Sequence, residues 1–349
     1  MKKPRICSVG LAVPPHAIRQ EDLKVFAATL FRDKMENLDR LLPVFDNACI
    51  AVRHLAQPLE WYAVPHTFSE TNRRYEEAGL ELAENASRQA MAEAGLSARD
   101  IDLVVLVSST GIATPTLDAK LIQRLGLSPH TARLPIWGLG CAGGVAGLAR
   151  SAELAGALAG RVVLLVTVEL CSLTFQQNDF SKANLVGAGI FADGAAAAIL
   201  SDNGAAGPEL CASHSTLFAA TEDIMGWDVV ETGLKVRFSR DIPSIVRQHL
   251  PALIKQACGE WNISADSLKH YVVHPGGVKV LDAYSESLNL PPETLAEALA
   301  ILTGYGNMSS ASVLFVLKQY LKAHAPSGEY GVMLALGPGF SAEQVLFRW

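Results

Sequence analysis

From residue 101 to residue 202 the chain alternates between two kinds of apolar patterning. IDLVVLVSSTG (101–111) and RVVLLVTVEL (161–170) are continuous apolar runs, and each predicts a strand buried on both faces. Between them TLDAKLIQRLGL (116–127) and AGGVAGLARSAELAGALAG (142–160) carry apolar residues at helical spacing, separated by the strand-like TARLPIWGL (131–139). AAAAILSD (195–202) closes the series as a further strand. A long helix, RRYEEAGLELAENASRQAMAEAG (73–95), precedes it and stops at a glycine. The first eighty residues are less regular: EDLKVFAATLF (21–31) and ENLDRLLPVF (36–45) predict helices, followed by the basic and aromatic connection VRHLAQPLEWYAVPH (52–66).

A second series begins after about residue 205. It runs through strand ELCASHSTLF, helix PSIVRQHLPALIKQACGEW, strand HYVVHPGG, helices VKVLDAYSESLNL, TLAEALAILT and SASVLFVLKQYLKAH, and strands YGVMLALGPG and AEQVLFRW. VVLVSSTG and YVVHPGG match in place, as do VVLLVTVEL and GVMLALGPG, so 1–205 and 206–349 read as two halves of a diverged duplication. The alternation predicts an α/β fold with its sheet covered on both faces. Ligand chemistry in such sheets collects at the carboxyl ends of strands. Four turns stand there: Ser109 to Gly111, the loop around Cys141, His274 to Gly277, and Gly337, Pro338 and Gly339.

Composition narrows the class. Half of the 349 residues are apolar, enough for a large core. The net charge is −6 and the basic residues are scattered, so a small substrate is expected and nucleic acid is not. No segment reaches the roughly 18 apolar residues of a membrane span. The amino-terminal MKKPRICSVGLAVPPHAI is broken by prolines and lacks a cleavage site, which makes a cytoplasmic protein the expectation. The six cysteines stand singly, against a disulfide framework or a four-cysteine zinc site, and no metal is expected.

WGLGCAGGVAG (137–147) admits several readings. Gly138, Gly140 and Gly143 spell G-x-G-x-x-G, and the next predicted strand brings Glu169 to where a ribose-binding carboxylate would stand; on that reading the protein is an NAD-dependent oxidoreductase. Alternatively, Cys141 lies between a strand end and a helix N-terminus, where unpaired backbone N–H groups favour the thiolate and lower the thiol pKa. A third reading is an inert cysteine in a packing turn. His274 follows YVV and precedes PGG, so it emerges at a strand's carboxyl end. Asn307, just before an apolar helix, is either a cap or turn residue or a donor to a substrate oxygen. Cys141, His274 and Asn307 together make the residue set of thioester chemistry, in which the thiol takes an acyl group and the other two donate to an oxyanion. A papain-like protease uses the same residue types, but with its cysteine in a different local signature.

At these residues the chain resembles the type III polyketide synthases, the chalcone-synthase-like branch of the thiolase superfamily. GCAGGVAGLARSAEL, IFADGAAAAIL, HPGGVKVLD, YGNMSSASVLFVL and GPGF carry the resemblance, in that order, from about Ala86 onward. The ketoacyl-carrier-protein synthases III share the cysteine, histidine and asparagine, but typically follow the histidine with Q-A-N where this chain has Pro275, Gly276 and Gly277. The resemblance implies a thiolase-like fold of two similar halves in five layers, α/β/α/β/α, assembled as a homodimer. It implies an acyl-CoA starter loaded on Cys141, malonyl-CoA decarboxylated with His274 and Asn307 holding the enolate, and cyclisation to a pyrone or a resorcinol- or phloroglucinol-type ring. The coenzyme A thioesters are substrates, and no cofactor is implied. Phe191 matches an aromatic gate between the coenzyme A tunnel and the cavity, and Thr114 a loop residue that crosses into the partner's cavity. Cys171, Thr174 and Ser309 match cavity-lining positions, Gly337 to Phe340 the loop shaping the cyclisation pocket, and Asp193 a structural position.

The chain also departs from the family's pattern. Val236 stands at the second gating phenylalanine and would widen the passage, while Trp227 replaces a glycine of the plant enzymes and would remove cavity volume. The basic cluster for coenzyme A phosphates is reduced to Arg40, Arg53 and His54. These departures turn the expectation towards a bacterial-style enzyme that grows small pyrones or resorcinol-like rings from an aliphatic starter.

Overall fold

The computed structural model describes residues 3–32, 34–157, 160–203, 207–239, 241–323 and 328–349. Its strands, in chain order, are β1 (Arg5–Ala12), β2 (His16–Arg19), β3 (Val52–Leu55), β4 (Leu103–Ser108), β5 (Ala132–Trp137), β6 (Val162–Leu170), β7 (Asp193–Ser201), β8 (Glu209–Leu217), β9 (Met225–Val230), β10 (Gly233–Phe238), β11 (Leu268–Val273), β12 (Tyr330–Gly337) and β13 (Ser341–Arg348). Nine of them bond in the order β11-β12-β13-β8-β1-β7-β6-β4-β5. The ladder is thinnest where β1 meets β8, at Arg5 opposite Glu209. On either side of that seam the order repeats. β1-β7-β6-β4 and β8-β13-β12-β11 have the same antiparallel, antiparallel, parallel pairing, so β4 answers to β11 and β6 to β12, as the sequence match had them. The dividing point at residue 205 lies outside the described residues.

Helices complete five layers. Gly143–Ala157 and Ser312–Ala323 are buried on every side over 143–149 and 312–317, as helices between two layers of sheet must be. The first touches β4, β6, β12 and β13, and the second β1, β7 and β11. Small residues allow this approach: a Cβ at Gly147 would lie 2.8 Å from Leu165 and 2.9 Å from Val107. Phe68–Glu93 and Leu117–Leu125 cover the first half from outside, and Ile242–Glu260 and Val278–Leu288 the second. The predicted helix ends at 158–159 and 324 fall outside the described residues.

Three local differences from the pattern have plain causes. The long outer helix begins at Phe68 because Thr67 and Glu70 form a capping box, each side chain accepting from the other's backbone N–H. ENLDRLLPVF is two short helices, Leu38–Leu41 and Pro43–Asp46, broken where Pro43 has no N–H to give. The β9–β10 hairpin and the helix Lys182–Ile190 had no clear periodic signal.

Candidate active site

After β5 the chain turns through Gly138 (φ 91°) and Gly140 (φ 47°), makes a 3-10 turn over Gly140–Ala142 and continues as the helix Gly143–Ala157. Cys141 thus stands at the strand-to-helix junction the sequence predicted. The turn is gripped from two sides. Gly140 N donates to Ser109 Oγ at 3.0 Å, and the Gly337-Pro338 segment presses on it: a Cβ at Gly337 would lie 2.5 Å from Leu139 O, and one at Gly140 would lie 2.8 Å from Pro338. A loop packed this closely leaves no cradle for a pyrophosphate. Glu169, the acid the dinucleotide reading required, is 0% exposed and already engaged, so that reading is overturned. Gly337 and Pro338 thereby support the nucleophile turn, and neither they nor Gly339 bound the two cavities described below.

Asn307, 1% exposed, links the other two members of the set. The Cys141 thiol donates to its Oδ1 at 4.0 Å, and Ser309 N donates to the same oxygen at 2.8 Å. Its Nδ2 donates to Gly276 O at 3.0 Å, two residues beyond His274. These partners fix which way the carboxamide faces and leave one N–H free. The backbone is pinned as well, Asn307 N to Ile190 O at 2.9 Å and Ala192 N to Asn307 O at 2.8 Å, which sets Asn307 beside Phe191. His274 is 2% exposed, and neither ring nitrogen has a hydrogen-bond partner among the described residues. Buried polar groups are normally paired, so this is a site waiting for an acceptor. Burial pushes the imidazole down to about 3, and it is therefore neutral, with a single N–H.

The sulfur departs from expectation. Burial pushes the Cys141 thiol up to about 11, and the Glu169 charge adds to the rise, while hydrogen bonding with Ser309 and Asn307 opposes it. A helix N-terminus is typically worth about 0.3–1 kcal/mol, below the roughly 1.4 kcal/mol of one pKa unit, so it does not offset the loss of water. Desolvation thus favours a thiol and a neutral imidazole at rest over the expected thiolate.

Glu169 is the residue whose role sequence reasoning missed. Its Oε2 accepts from Ser109 N (3.0 Å) and Thr110 Oγ1 (2.9 Å), and its Oε1 from Ser310 Oγ (2.6 Å). It thereby ties the turn that grips Cys141 to the loop that carries Asn307. Burial raises it to about 7. The available signal was an acid near the end of an unbroken apolar strand.

Two cavities flank the centre. One, of about 530 Å³, reaches Gly276 and Gly277 on its inner side and carries Arg40, Lys182 and Lys279 at its rim, all exposed and without an ion pair among the described residues. The other, about 60 Å³, is bounded by Cys171, Thr174, Phe191 and Val236. Phe191 of the smaller cavity and Phe238 of the larger meet edge to face, 6.3 Å between centroids. Phe238 thus places an aromatic against Phe191 two residues along the same strand from Val236. Trp227 stands opposite Val236 in the hairpin and is not itself among the residues bounding either cavity. Ser309 (φ 48°) sits against Asn307 and the thiol, away from both cavity walls. Thr114 is exposed, ahead of a cis bond to Pro115. Asp193 accepts from Ala56 N and Ser172 N, each at 2.7 Å, and holds two loops together.

Of the three cations expected near coenzyme A, only Arg40 stands on the larger cavity. Arg53 is 2% exposed and bonded to Gln20 and to Phe191 O, and His54 stacks on Tyr305. Lys182 and Lys279, from distant segments, join Arg40 instead. Among the described residues no cluster of three or more His, Cys, Asp or Glu could hold a metal, and no helix is long and apolar enough to cross a membrane.

Family models for the chalcone and stilbene synthases match both parts of the chain, the N-terminal domain over residues 2–204 and the C-terminal domain over 209–349. The chain belongs to that family. A Bacillus subtilis (strain 168) protein that carries a chalcone synthase name is 41% identical over 99% of this chain and 98% of its own. A 1,3,6,8-tetrahydroxynaphthalene synthase of Streptomyces peucetius subsp. caesius is 40% identical over 99% of this chain and 93% of its own. The crystal structure of the Streptomyces coelicolor A3(2) 1,3,6,8-tetrahydroxynaphthalene synthase, a bacterial type III polyketide synthase, superposes with a TM-score of 0.95 at 33% identity, covering 99% of each chain. The motif resemblance is borne out: this is a type III polyketide synthase, an acyltransferase-type condensing enzyme with the five-layered thiolase-like fold.

Proposed function

We propose that the protein loads an acyl group from coenzyme A onto Cys141, extends it with malonyl-CoA, and closes the product to a pyrone or a resorcinol- or phloroglucinol-type ring. The observation that carries this reading is the pair of unpartnered nitrogens on a buried, neutral His274, beside an Asn307 with a spare N–H. Donors held in a dry site reach full strength when an oxyanion is delivered to them. In loading, Sγ attacks the thioester carbonyl; an S–C bond forms, the bond to coenzyme A breaks, and coenzyme A leaves as the thiol with the cysteine's proton. In the malonyl step carbon dioxide departs, and the electron pair of the broken C–C bond passes to the thioester oxygen, held as an enolate by His274 and Asn307. A neutral imidazole suits this step, because it donates a hydrogen bond without being acidic enough to quench the carbanion. The enolate carbon then attacks the acyl carbonyl, Cys141 leaves as thiolate, and the longer chain returns to it from coenzyme A.

The larger cavity fits coenzyme A, with Arg40, Lys182 and Lys279 available to its phosphates, and Phe191 with Phe238 gating the passage inward. Ring closure is supported by relatives named as tetrahydroxynaphthalene and phloroglucinol synthases. A homodimer, with Thr114 reaching the partner's cavity, is supported by the edge position of β5 and by Ile112 and Trp137 exposed beside it. Reliance on coenzyme A thioesters supports a cytoplasmic location. Purified protein given malonyl-CoA and a panel of acyl-CoAs tests the reading: carbon dioxide, free coenzyme A and a cyclised product are expected without carrier protein or nicotinamide. Turnover only on a carrier protein would favour a ketoacyl-synthase-III-like reaction, and no turnover with any starter counts against both.

A further inference from the structure

Arg53 lies in β3, 2% exposed, where burial pushes its guanidinium down to about 9 against the opposing charge of Asp193. An apolar side chain of similar length would fill the space at less cost, so stability does not account for the charge. What a guanidinium adds is direction, because its N–H groups lie in one rigid plane. Nε donates to Gln20 Oε1 at 3.0 Å and Nη1 to Phe191 O at 2.6 Å. Two acceptors on separate elements fix that plane. Gln20 is held in turn: it is 6% exposed, its Nε2 donates to Gly189 O at 2.7 Å and to Phe45 O at 3.3 Å, and its backbone N donates to Ala51 O at 2.9 Å.

The other end of this chain of bonds is the Asn307 loop. Phe191 and Asn307 form an isolated parallel bridge, with Asn307 N on Ile190 O and Ala192 N on Asn307 O. While the guanidinium fastens Phe191 O, the aliphatic stem of Arg53 lies over the residue before Asn307: a Cβ at Gly306 would stand 2.9 Å from both Cγ and Cδ of Arg53. Ala51, two residues before Arg53, adds a further tie, its N donating to Thr303 O at 2.8 Å near the end of the helix Ala296–Tyr305. The start of β3 thus touches the Asn307 loop at Thr303 and Gly306 and grips Phe191, the residue bridged to Asn307. Asn307 has one spare N–H to offer, and an error of about 1 Å in placing such a group costs on the order of 10²-fold in rate.

We propose that Gln20 and Arg53 are positioning residues for the condensation: the Gln20–Arg53–Phe191 chain sets where the spare Asn307 N–H stands when the malonyl enolate forms. Both act through Phe191 and Gly306 and not on the enolate itself. The assignment rests on the polyketide reading above and adds to it two residues far from Asn307 in the sequence.

The test is a double-mutant cycle on carbon dioxide release from malonyl-CoA, with the intact unsubstituted, Arg53→Met, Asn307→Ala and doubly substituted proteins; acylation of Cys141 by hexanoyl-CoA is followed alongside by mass spectrometry. Methionine keeps a stem over Gly306 and removes both donors. Arg53→Met is expected to slow decarboxylation about 10²-fold per folded molecule with acylation nearly unchanged, and Arg53→Lys, which retains one donor, to fall between it and the unsubstituted protein. In the Asn307→Ala background Arg53→Met is expected to make no further difference, since no amide remains to be placed. Equal slowing in both backgrounds, acylation falling in step with decarboxylation, or undiminished decarboxylation by folded Arg53→Met each overturns the proposal and leaves the polyketide reading standing. Where Arg53→Met fails to fold, Gln20→Leu decides by the same cycle, because it removes the acceptor of Nε and leaves Arg53 beside Asp193. No acylation together with no carbon dioxide release by the unsubstituted protein sinks the polyketide reading, and the proposal with it.

Discussion

Glu169→Gln separates charge from shape at the centre of the site. The amide keeps most of the existing bonds: its oxygen takes the place of Oε2, accepting from Ser109 N and Thr110 Oγ1, and its NH2 takes the place of Oε1, donating to a rotated Ser310 hydroxyl but giving up the Ser310 backbone N–H. What disappears is one negative charge that helps push the Cys141 thiol up to about 11. At a separation on the order of 10 Å and an effective dielectric of about 20, two unit charges interact by about 1.7 kcal/mol, or about 1.2 pKa units. Alkylation of Cys141 by iodoacetamide, followed by peptide mass spectrometry from about pH 6 to 11, is expected to show its midpoint about one unit lower in the variant. Stability gives a second readout. Glu169 rises from 4.5 in the unfolded chain to about 7 in the fold, so the folded protein holds the extra proton and stability falls as pH climbs through that window. The fall is about 3 kcal/mol by about pH 8. Asp193, raised to about 6, acts in the same direction, whereas His274, lowered to about 3, adds stability as pH rises towards 6.5 and offsets part of it. Melting curves are expected to show the variant gaining on the wild type between about pH 5 and 8. An alkylation midpoint within about 0.3 units of wild type in a folded variant would refute the claim that this charge reaches the sulfur.

His274→Leu is expected to cut malonyl-CoA decarboxylation by about 10²–10³-fold while leaving the melting temperature unchanged or higher, because two buried nitrogens without partners leave the core; a clear drop in melting temperature would mean the ring is held by partners. Gly306→Ala puts a Cβ 2.9 Å from the Arg53 side chain and 3.1 Å from Ile190 O at φ 74°. It is expected to lose about 1–3 kcal/mol of stability and, by shifting the next residue, Asn307, to lower kcat, and unchanged values of both would contradict that packing. Lys182→Ala and Lys279→Ala are expected to raise KM for starter and malonyl thioesters together, with kcat retained and the effect shrinking at high salt, as exposed charges on a phosphate require. A KM insensitive to both substitutions would move the phosphates elsewhere.

The residues legible in the sequence are those that local pattern exposes. Apolar runs gave the strands, and a histidine or glycine just past such a run announced the carboxyl end of a strand, which is how Cys141, His274 and the Gly337 turn were found. Asn307 needed the motif around it, since nothing in TGYGNMSS distinguishes a donor from a cap. The hairpin β9–β10 and the helix Lys182–Ile190 were less legible because their pattern is set by packing against loops. Lys182 and Lys279 are not legible as partners of Arg40 because the three come from widely separated segments, and only the fold brings them to one rim.

The errors about charge share a cause. Arg53 is expected among the cations near coenzyme A, Glu169 as a ribose ligand only on the alternative dinucleotide reading, and Cys141 with a lowered pKa; Arg53 and Glu169 are instead removed from water, and the half-buried Cys141 is desolvated enough to raise its thiol. A sequence shows that a titratable group is present at a strand end; the depth at which packing leaves it decides its protonation. At this site that depth is consistent with the chemistry proposed. Water that would stabilise a resting thiolate would also protonate an enolate, so a pocket dry enough to protect the carbanion must push Cys141 up and His274 down together. The thiol then gives up its proton only as an acyl carbonyl arrives. Any substitution that wets the cavity is accordingly expected to shift both residues towards their ordinary pKa values while lowering the yield of condensation per carbon dioxide released, and improved coupling in such a variant would refute the link.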